Sequence, residues 1–406
     1  MMLKYFKKNK HNITKIAKLQ LMFYSWFKDI RKSILMPTIY LMIFGVVMSF
    51  SLSYSVSQKL ETGDFYFFYK HCFFVFVGFS LMIFFSIIDI KKIMSISFFS
   101  YGICILMLLL VLAITSGVKG ANRWIDLGFI SIQPSEILKP FFIIMHSLLI
   151  AKYREKNDIN YVFVSCIIFL FVIILFGLEP DYGMIIIYTA TLGVQILFSE
   201  IKFRNILFIG IGLLFLLILL SLTFSHVKFR ILTFLGLGEG DNYQLNIALR
   251  AINEGGFFGN GTGMSKLKNL LPDAHNDFIF AVIGEEIGGF GYLMLIGFYF
   301  TIFISVLLYI SYNNKIINTH IFTSDDSFSI DEYYLKRLIS ISIITMFFVA
   351  FTINSFVSLG LFPTKGMTLP FVSYGGSSIM SHSIMIGILL NTTKTNHITI
   401  RQIKVF

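Results

Sequence analysis

The sequence predicts an all-α polytopic membrane protein with about ten transmembrane helices and a large extracytoplasmic loop between spans seven and eight. Three observations lead to this fold class. Of the 406 residues, 56% are hydrophobic and only 14% are charged, whereas a soluble domain carries about 25% charged residues. The mean hydropathy of the whole chain is +0.78. Apolar runs of about 20 residues, the length that crosses a bilayer, recur along the chain.

The candidate spans are 34–55, 67–88, 95–116, 137–152, 160–178, 182–198, 203–224, 278–312, 337–361 and 374–392. The eighth is too long for one simple crossing, since its helix would extend roughly 50 Å against a hydrocarbon core of about 30 Å. We therefore expect its first turns, Phe278 to Glu286, to stand outside the lipid or to line a cavity.

The basic residues predict which loops face the cytoplasm. Nine of the 33 Lys and Arg residues precede residue 34, and more than half of the others lie in 89–94, 152–158, 200–205, 313–337 and the C-terminal tail. Because basic loops stay on the cytoplasmic side, both termini are predicted to be cytoplasmic. The domain organisation is then a basic N-terminal segment (1–33), a single transmembrane domain (34–392) whose large outer loop is 225–277, and a cytoplasmic tail (393–406).

Composition argues against several other classes. The net charge of +11 is concentrated in the leader and the cytoplasmic loops, so it does not indicate nucleic-acid binding. The first apolar run is too long for the core of a cleaved signal peptide. All three cysteines lie in apolar runs and the histidines show no ligand spacing, so neither a disulfide framework nor a metal or haem site is indicated.

The first polar stretch between predicted spans is GANRWIDLGFISIQPSEILKPFF, residues 120–142. Ser135 is a plausible N-cap for a new helix. Glu136 and Lys139 are three residues apart and therefore share a face of that helix. Two interpretations stay open: an interfacial salt bridge, or an anion site in which Glu136 orients Lys139 and Arg123.

The second stretch is GLEPDYGM, residues 177–184, which carries Glu179 and Asp181 between two apolar runs. Such a short connection could simply be a turn. However, carboxylates near a membrane face are costly unless they are paired or hydrated, and they often mark a site. The two interpretations are equally supported.

The third stretch is the loop 225–277. It contains Lys228 and Arg230, then a strip of glycines that is expected to be flexible or tightly turned. No Gly-Lys-Ser/Thr follows with the spacing of a nucleotide-binding loop. The loop ends in LPDAHND, which carries Asp273, His275 and Asp277 into the apolar run that also holds Glu285 and Glu286.

The fourth stretch is GLFPTKGMTLPFVSYGGSS, residues 360–378, in which prolines and glycines interrupt the helical pattern. Irregular backbone at membrane depth is tolerated only where protein or water satisfies its polar groups. Lys365 lies in the middle of this segment and Ser377 near its end. The segment is either an anion site or a simple loop.

Taken together, these stretches resemble the SEDS family of bacterial cell-wall synthesis, whose members include FtsW and RodA. The family patterns RWI-x-LG…QPSE-x-x-K, PD-x-G, LPEAHTDFIFAVIGEELG and LPTKG-x-x-LPFVSYGGSS occur here in family order. The PTKG of Pro363 to Gly366 and the compact GTGMSKLKNLLPDAHND favour the division-type branch, FtsW, over RodA. Asp273 replaces the usual Glu and Asn276 the usual Thr, which leaves the charged positions intact.

The resemblance implies a peptidoglycan glycosyltransferase that polymerises lipid II at the outer face of the cytoplasmic membrane during septal wall synthesis. It also implies a class B penicillin-binding protein and other division proteins as partners. Asp277 matches the family's catalytic Asp and is the expected general base. The expected substrate-binding residues are Arg123, Glu136, Lys139, Asp181, Arg230, His275, Lys365 and Ser377. No organic cofactor is expected, and Mg²⁺ or Mn²⁺ could share the binding of the diphosphate.

Three alternatives remain. A lipid II flippase would need polar residues deeper in the membrane, for which Asn354 and Ser355 are the few candidates. An elongation-type polymerase of the RodA branch would share the same chemistry. A non-catalytic scaffold would not need Asp277.

Overall fold

The computed structural model describes residues 23–59, 63–114, 123–128, 130–223, 243–271, 273–318, 330–363 and 367–394. Within these residues the protein is a helical bundle. Its longer helices are α1 (Lys32–Lys59), α2 (Tyr66–Ile87), α3 (Ile90–Ile114), α4 (Pro134–Lys156), α5 (Asn160–Leu178), α6 (Tyr182–Leu197), α7 (Phe203–Thr223), α8 (Tyr243–Gly255), α9 (Ile279–Glu286), α10 (Gly289–Asn318), α11 (Ile330–Ser358) and α12 (Gly376–Thr392). A short antiparallel hairpin, β1 (Ile125–Asp126) and β2 (Ser131–Ile132), precedes α4 and was not predicted.

Seven helices of the described chain are long and apolar enough to cross a membrane: α1 to α5, α10 and α11. The helices α6 and α7 contain shorter apolar stretches. Large apolar side chains such as Phe99 on α3 and Ile167 on α5 are exposed, as expected for surfaces that contact lipid. The prediction of an all-α polytopic membrane protein is confirmed, and the exact number of ten spans stays a prediction.

The eighth predicted span is two helices. α9 ends at Glu286 and α10 begins at Gly289. Between them Gly288 has a φ of +75°, and a Cβ there would lie 2.5 Å from the backbone nitrogen of Gly259. Only glycine suits both the left-handed backbone and the close approach. Residues 279–286 thus form a helix separate from α10, and the expectation that this part of the chain stands outside the lipid stays a prediction.

α9 is buried along its whole length because α8 and the glycine strip pack directly against it. A Cβ on Gly255 would lie 1.8 Å from the carbonyl oxygen of Gly284, and one on Gly259 would lie 2.2 Å from that of Glu286. The glycines of the strip thus permit backbone-to-backbone contact. Of the two predicted states, tightly turned and flexible, the described residues adopt the first.

The core of the bundle lies where α12 packs on α2, with α4 and α11 alongside. Small residues permit the close approach of α2 and α12. A Cβ on Gly78 would lie 2.6 Å from Ser383 Oγ, and one on Gly387 would lie 2.6 Å from the carbonyl oxygen of Met82. Close packing of this kind stabilises membrane helices, since burial of apolar surface from water is not available to them.

Candidate functional site

Parts of all four polar stretches meet at one end of the bundle. The backbone N–H of Gln133 donates to Ser377 Oγ at 3.0 Å, which joins the first stretch to the fourth. Gly183 of the second stretch packs against the side chain of Met367. The backbone N–H of Tyr374 donates to the carbonyl of His275 at 2.9 Å, which joins the fourth stretch to the third.

Arg123 of the first stretch contacts residues 179–181 of the second stretch, including Asp181. Arg123 Nε donates to the carbonyl of Glu179 at 3.1 Å, Nη2 donates to that of Pro180, and Nη1 lies 3.5 Å from Asp181 Oδ1. Arg123 keeps 19% of its side chain exposed, whereas Asp181 is buried. These contacts use all three guanidinium nitrogens to fix the short turn between α5 and α6.

Ser135 is not the N-cap of α4. Pro134 occupies the first turn and Gln133 is the capping residue, in keeping with the preference of proline for the first helical position. The hydroxyl of Ser135 instead donates to Asp181 Oδ2 at 3.2 Å, and Gln133 Nε2 donates to the same oxygen at 3.2 Å. Two side chains at the start of α4 therefore hold the carboxylate of Asp181 in place by hydrogen bonds.

Glu179 is held differently from Asp181. It is 2% exposed, and neither carboxylate oxygen has a hydrogen-bond partner in the described residues. Burial, and to a smaller extent the charge of Asp181, raise the pKa of Glu179 to about 8 against the opposing charge of Arg123. Glu179 is therefore largely protonated at pH 7, because its ionised form is poorly solvated there.

Glu136 and Lys139 form an ion pair of 2.7 Å inside the bundle, so the prediction that they share a helix face is confirmed. They are 3% and 1% exposed, so the pair lies in the interior and not at the surface. Ser377 is also buried, where its Oγ accepts from Gln133 and donates to the carbonyl of Ser131 at 3.4 Å. Contact of these three residues with a substrate stays a prediction.

Asp277 lies in the turn that precedes α9, and its side chain is half-buried. The backbone N–H of Asp277 donates to the carbonyl of Asp273 at 3.0 Å. Asn354 Nδ2 donates to the carbonyl of Asp277 at 3.1 Å. The carboxylate is thus carried by a hydrogen-bonded turn at the head of a buried helix.

An aromatic groove lies beside this turn. The rings of Phe67, His275 and Tyr374 have centroid separations of 5.3 to 5.7 Å. The concavity they line also contains side chains of α1, α9 and the fourth stretch, namely Ser49, Leu52, Ser53, Ile279 and Val372. Sequence reasoning named His275 but missed Phe67, because a phenylalanine inside an apolar run gives no signal of its own.

Glu285 and Glu286 have structural partners. Glu285 Oε1 accepts the backbone N–H groups of Lys266 and Leu267 at 2.9 and 3.0 Å. Glu286 pairs with Lys268 at 2.9 Å and accepts from Ser51 Oγ at 2.6 and 2.7 Å. These contacts favour a structural role for both carboxylates over a role in holding a divalent cation.

Two predicted site residues, Arg230 and Lys365, lie outside the described residues. No group of three or more His, Cys, Asp or Glu side chains in the described part of the chain is arranged to hold a metal ion. Asn354, suggested above as a polar residue deeper in the membrane, instead bonds to the turn that carries Asp277.

Comparison with known proteins shows which family this chain resembles over nearly its whole length. The family model FtsW/RodA/SpoVE, described as cell cycle protein, matches residues 31–398. A probable peptidoglycan glycosyltransferase FtsW from Taylorella equigenitalis (strain MCE9) is 32% identical over 369 residues, which are 88% of this chain and 96% of the relative. The protein with the same description from Buchnera aphidicola is 34% identical over 393 residues, with 95% and 94% covered.

Two solved structures share the fold. A chain from a study of the coordination of polymerization and crosslinking by a peptidoglycan synthase complex has a TM-score of 0.67 at 20% identity, covering 90% of this chain and 97% of that one. The rod shape determining protein RodA of Thermus thermophilus has a TM-score of 0.59 at 22% identity, with 90% and 96% covered. From the match of nearly its whole length to the family model, supported by these relatives, the chain belongs to the FtsW/RodA/SpoVE family of cell cycle proteins.

Proposed function

We propose that this chain is a peptidoglycan glycosyltransferase that polymerises lipid II into glycan strands at the outer face of the cytoplasmic membrane during septal wall synthesis. Its relatives described as FtsW are named probable peptidoglycan glycosyltransferases. The observation that carries the proposal is the placement of Asp277. It is a half-buried carboxylate at the head of a buried helix, beside an aromatic groove and between apolar helices.

The reaction needs one base and a stabilised leaving group. Asp277 accepts the proton of the acceptor sugar's 4-hydroxyl while that oxygen attacks the anomeric carbon of the donor. The bond between the anomeric carbon and the diphosphate oxygen breaks, and the diphosphate leaves with the electron pair. Attack from the side opposite the leaving group inverts the anomeric centre. Each substrate keeps its lipid tail in the bilayer and its sugars in water. A carboxylate at the membrane surface could therefore reach the reacting sugars of both substrates.

The departing diphosphate requires positive charge. Arg123 is the cation whose position supports this role best among the described residues, since its side chain is 19% exposed whereas that of Lys139 is buried. Lys365 and Arg230 are the further candidates from sequence. Lys139 would serve only if its buried pair with Glu136 opened. The described residues contain no cluster of acidic, His or Cys side chains suited to hold a metal, so a Mg²⁺ or Mn²⁺ ion would have to be held largely by the diphosphate itself, whose charge it would neutralise.

The proposal includes a class B penicillin-binding protein as partner, which would cross-link the strands, and further division proteins. One structural neighbour comes from a peptidoglycan synthase complex, which supports an assembly of this kind. We place both termini in the cytoplasm because the basic segments of the chain would then lie on that side. The septal role follows the FtsW relatives, and an elongation role would involve the same chemistry.

Purified protein tests the activity directly. Wild-type chain in detergent, with a class B partner, is expected to convert lipid II into long glycan strands, and Asp277→Asn is expected to make none in the same time. Loss of a general base typically lowers the rate by about 10²–10⁴. The matched control is Asp64→Asn, which changes an exposed carboxylate between α1 and α2 and should retain wild-type rates.

Either of two results would contradict the proposal: wild-type protein that makes no strands with its partner, or Asp277→Asn that polymerises normally. The same assay separates the flippase alternative, because polymerisation in detergent needs no second compartment and transport does.

A further inference from the structure

Three successive carbonyl groups of the turn that carries Asp277, those of residues 275–277, accept hydrogen bonds from elsewhere in the chain, two from the fourth stretch and one from α11. The carbonyl of His275 accepts from the backbone N–H of Tyr374 at 2.9 Å. The next carbonyl, of Asn276, accepts from Ser373 Oγ at 2.6 Å. That of Asp277 accepts from the side chain of Asn354 at 3.1 Å.

Asn354 is the member of this set that joins three parts of the chain. It lies on α11 and is 1% exposed. Its Nδ2 donates one hydrogen bond to the carbonyl of Asp277 and one to the carbonyl of Met367 at 2.5 Å. Both hydrogens of one amide are therefore used to bridge the Asp277 turn and the segment 367–374.

The segment 367–374 is itself fixed in place. Tyr299 on α10 donates its hydroxyl hydrogen to the carbonyl of Pro370 at 2.6 Å. A Cβ on Gly45 of α1 would lie 2.2 Å from the carbonyl oxygen of Phe371, so the two backbones touch. Phe371 has a φ of +65°, a backbone conformation that persists only where the surroundings enforce it. Asn354 thus ties the turn to a rigid part of the bundle.

Packing alone does not explain why a polar amide, that of Asn354, is buried at this position. Its Oδ1 is buried and has no hydrogen-bond partner in the described residues. A buried polar atom without a partner destabilises a fold, and the amide accepts this penalty while its Nδ2 bonds to the carbonyls of Asp277 and Met367. Features that oppose stability in this way concentrate at functional sites.

We propose that Asn354 is a positioning residue for the reaction of Asp277. The inference rests on the proposed function. By holding the carbonyl of Asp277, Asn354 sets the position of the carboxylate relative to the acceptor hydroxyl, without itself contacting substrate. A displacement of about 1 Å at a reacting group lowers a rate by as much as about 10²-fold.

The test compares Asn354→Leu with Asn391→Leu. Asn391 on α12 is a matched control, since its Nδ2 also donates to backbone carbonyls, those of Phe85, Ser86 and Ile88, and it is 7% exposed. Lipid II polymerisation is measured as kcat and KM together with the melting temperature of each variant. We expect Asn354→Leu to lower kcat by about 10²-fold with KM unchanged, and Asn391→Leu to lower the melting temperature with kcat retained.

Combining Asn354→Leu with Asp277→Asn distinguishes a positioning role from a merely structural one, because the polymerisation rate of the double variant differs between the two cases. If Asn354 acts through Asp277, the double variant is no slower than Asp277→Asn alone. A further loss in the double variant, or equal loss of kcat in Asn354→Leu and Asn391→Leu, would overturn the inference while leaving the proposed function intact. Wild-type protein without activity would instead count against the proposed function.

A second variant covers the case in which Asn354→Leu does not fold. Ser373→Ala removes the neighbouring bond to the carbonyl of Asn276, and Ser342→Ala is its control because that hydroxyl bonds within its own helix. We expect Ser373→Ala to lower kcat several-fold relative to Ser342→Ala. Equal values of kcat for these two variants would show that the bonds between the turn and the fourth stretch do not position Asp277.

Discussion

Replacing Lys268 by Met should loosen the segment that covers α9. Lys268 lies in the short 3₁₀ turn Leu267–Asn269, and its ammonium contacts Glu286 at 2.9 Å and the carbonyl of Ser51 at 3.1 Å. Both charged side chains of the pair are buried. Lys268→Met keeps most of the apolar stem of the side chain but leaves the carboxylate of Glu286 without its counter-charge.

The expected magnitude follows from burial. Breaking a buried ion pair by removing one partner costs about 3–5 kcal/mol, whereas an exposed pair contributes about 0–1 kcal/mol. Glu286 would keep the hydroxyls of Ser51 and Ser265, so we expect the lower end, about 3 kcal/mol. Because about 1.4 kcal/mol is a factor of ten in an equilibrium constant, the opened state would become roughly 10²-fold more populated.

Amide hydrogen exchange measures this opening directly. The backbone N–H groups of residues 260, 261, 266 and 267 bond to the carbonyls or side chains of Glu285 and Glu286. Their protection should fall by about 10²-fold in Lys268→Met. Adding Glu286→Gln to that variant removes the unpaired charge and should restore much of the protection.

The control is Arg154→Met, which breaks the partly exposed pair of Arg154 with Glu200 and should change local protection by less than about tenfold. If Lys268→Met had no greater effect than this control, the buried pair would not be what holds the segment on α9.

Three other predictions concern charge. The pKa of Glu179 is about 8 in the fold, above its value in an unfolded chain. The stability that this difference in pKa contributes is therefore fully present below about pH 4.5 and is lost as the pH rises towards about 8. Glu179→Gln should therefore flatten the decline of the melting temperature between these pH values, and an unchanged decline would count against the burial of this carboxyl. Lys365→Ala should weaken the use of lipid II, seen as a raised KM, while co-purification with the class B partner is kept; unchanged donor binding would exclude Lys365 from the diphosphate site. Chelation by EDTA should slow polymerisation, and Mg²⁺ or Mn²⁺ should restore it; a rate indifferent to both would remove the ion from the mechanism.

The sequence alone predicted those features of the fold that a single physical rule determines, such as the length or the periodicity of a helix. Apolar length located the helices, since a membrane imposes a fixed span on any helix that crosses it. The excess length of segment 278–312 argued against one simple crossing, and the structure divides the segment into two helices at Gly288, where no side chain fits. Spacing alone was enough for Glu136 and Lys139, because residues three apart on a helix are neighbours.

Contacts between distant parts of the chain were not predictable in this way. Ser135 has the character of an N-cap, but its hydroxyl bonds to Asp181 on another helix boundary. Asn354 and Asp277 are 77 residues apart, and no local pattern relates them. The role of Glu286 depended on Lys268 and Ser51, which only the packing of α9 against α1 brings together. Such pairings are decided by tertiary structure, which a single sequence does not display.

The close contact between α2 and α12 determines when in synthesis the core of the bundle can form. α2 enters the membrane early in synthesis, and its partner is the last helix that the structure describes. Until Gly387 reaches the backbone of Met82, the face of α2 that carries Gly78 has no protein neighbour from α12. Residues 367–374, which fix the Asp277 turn, also leave the ribosome just before that helix. A chain that ended before residue 367 would therefore lack both α12 and the segment that bonds to the Asp277 turn, so the turn could be ordered only after nearly the whole chain had been made.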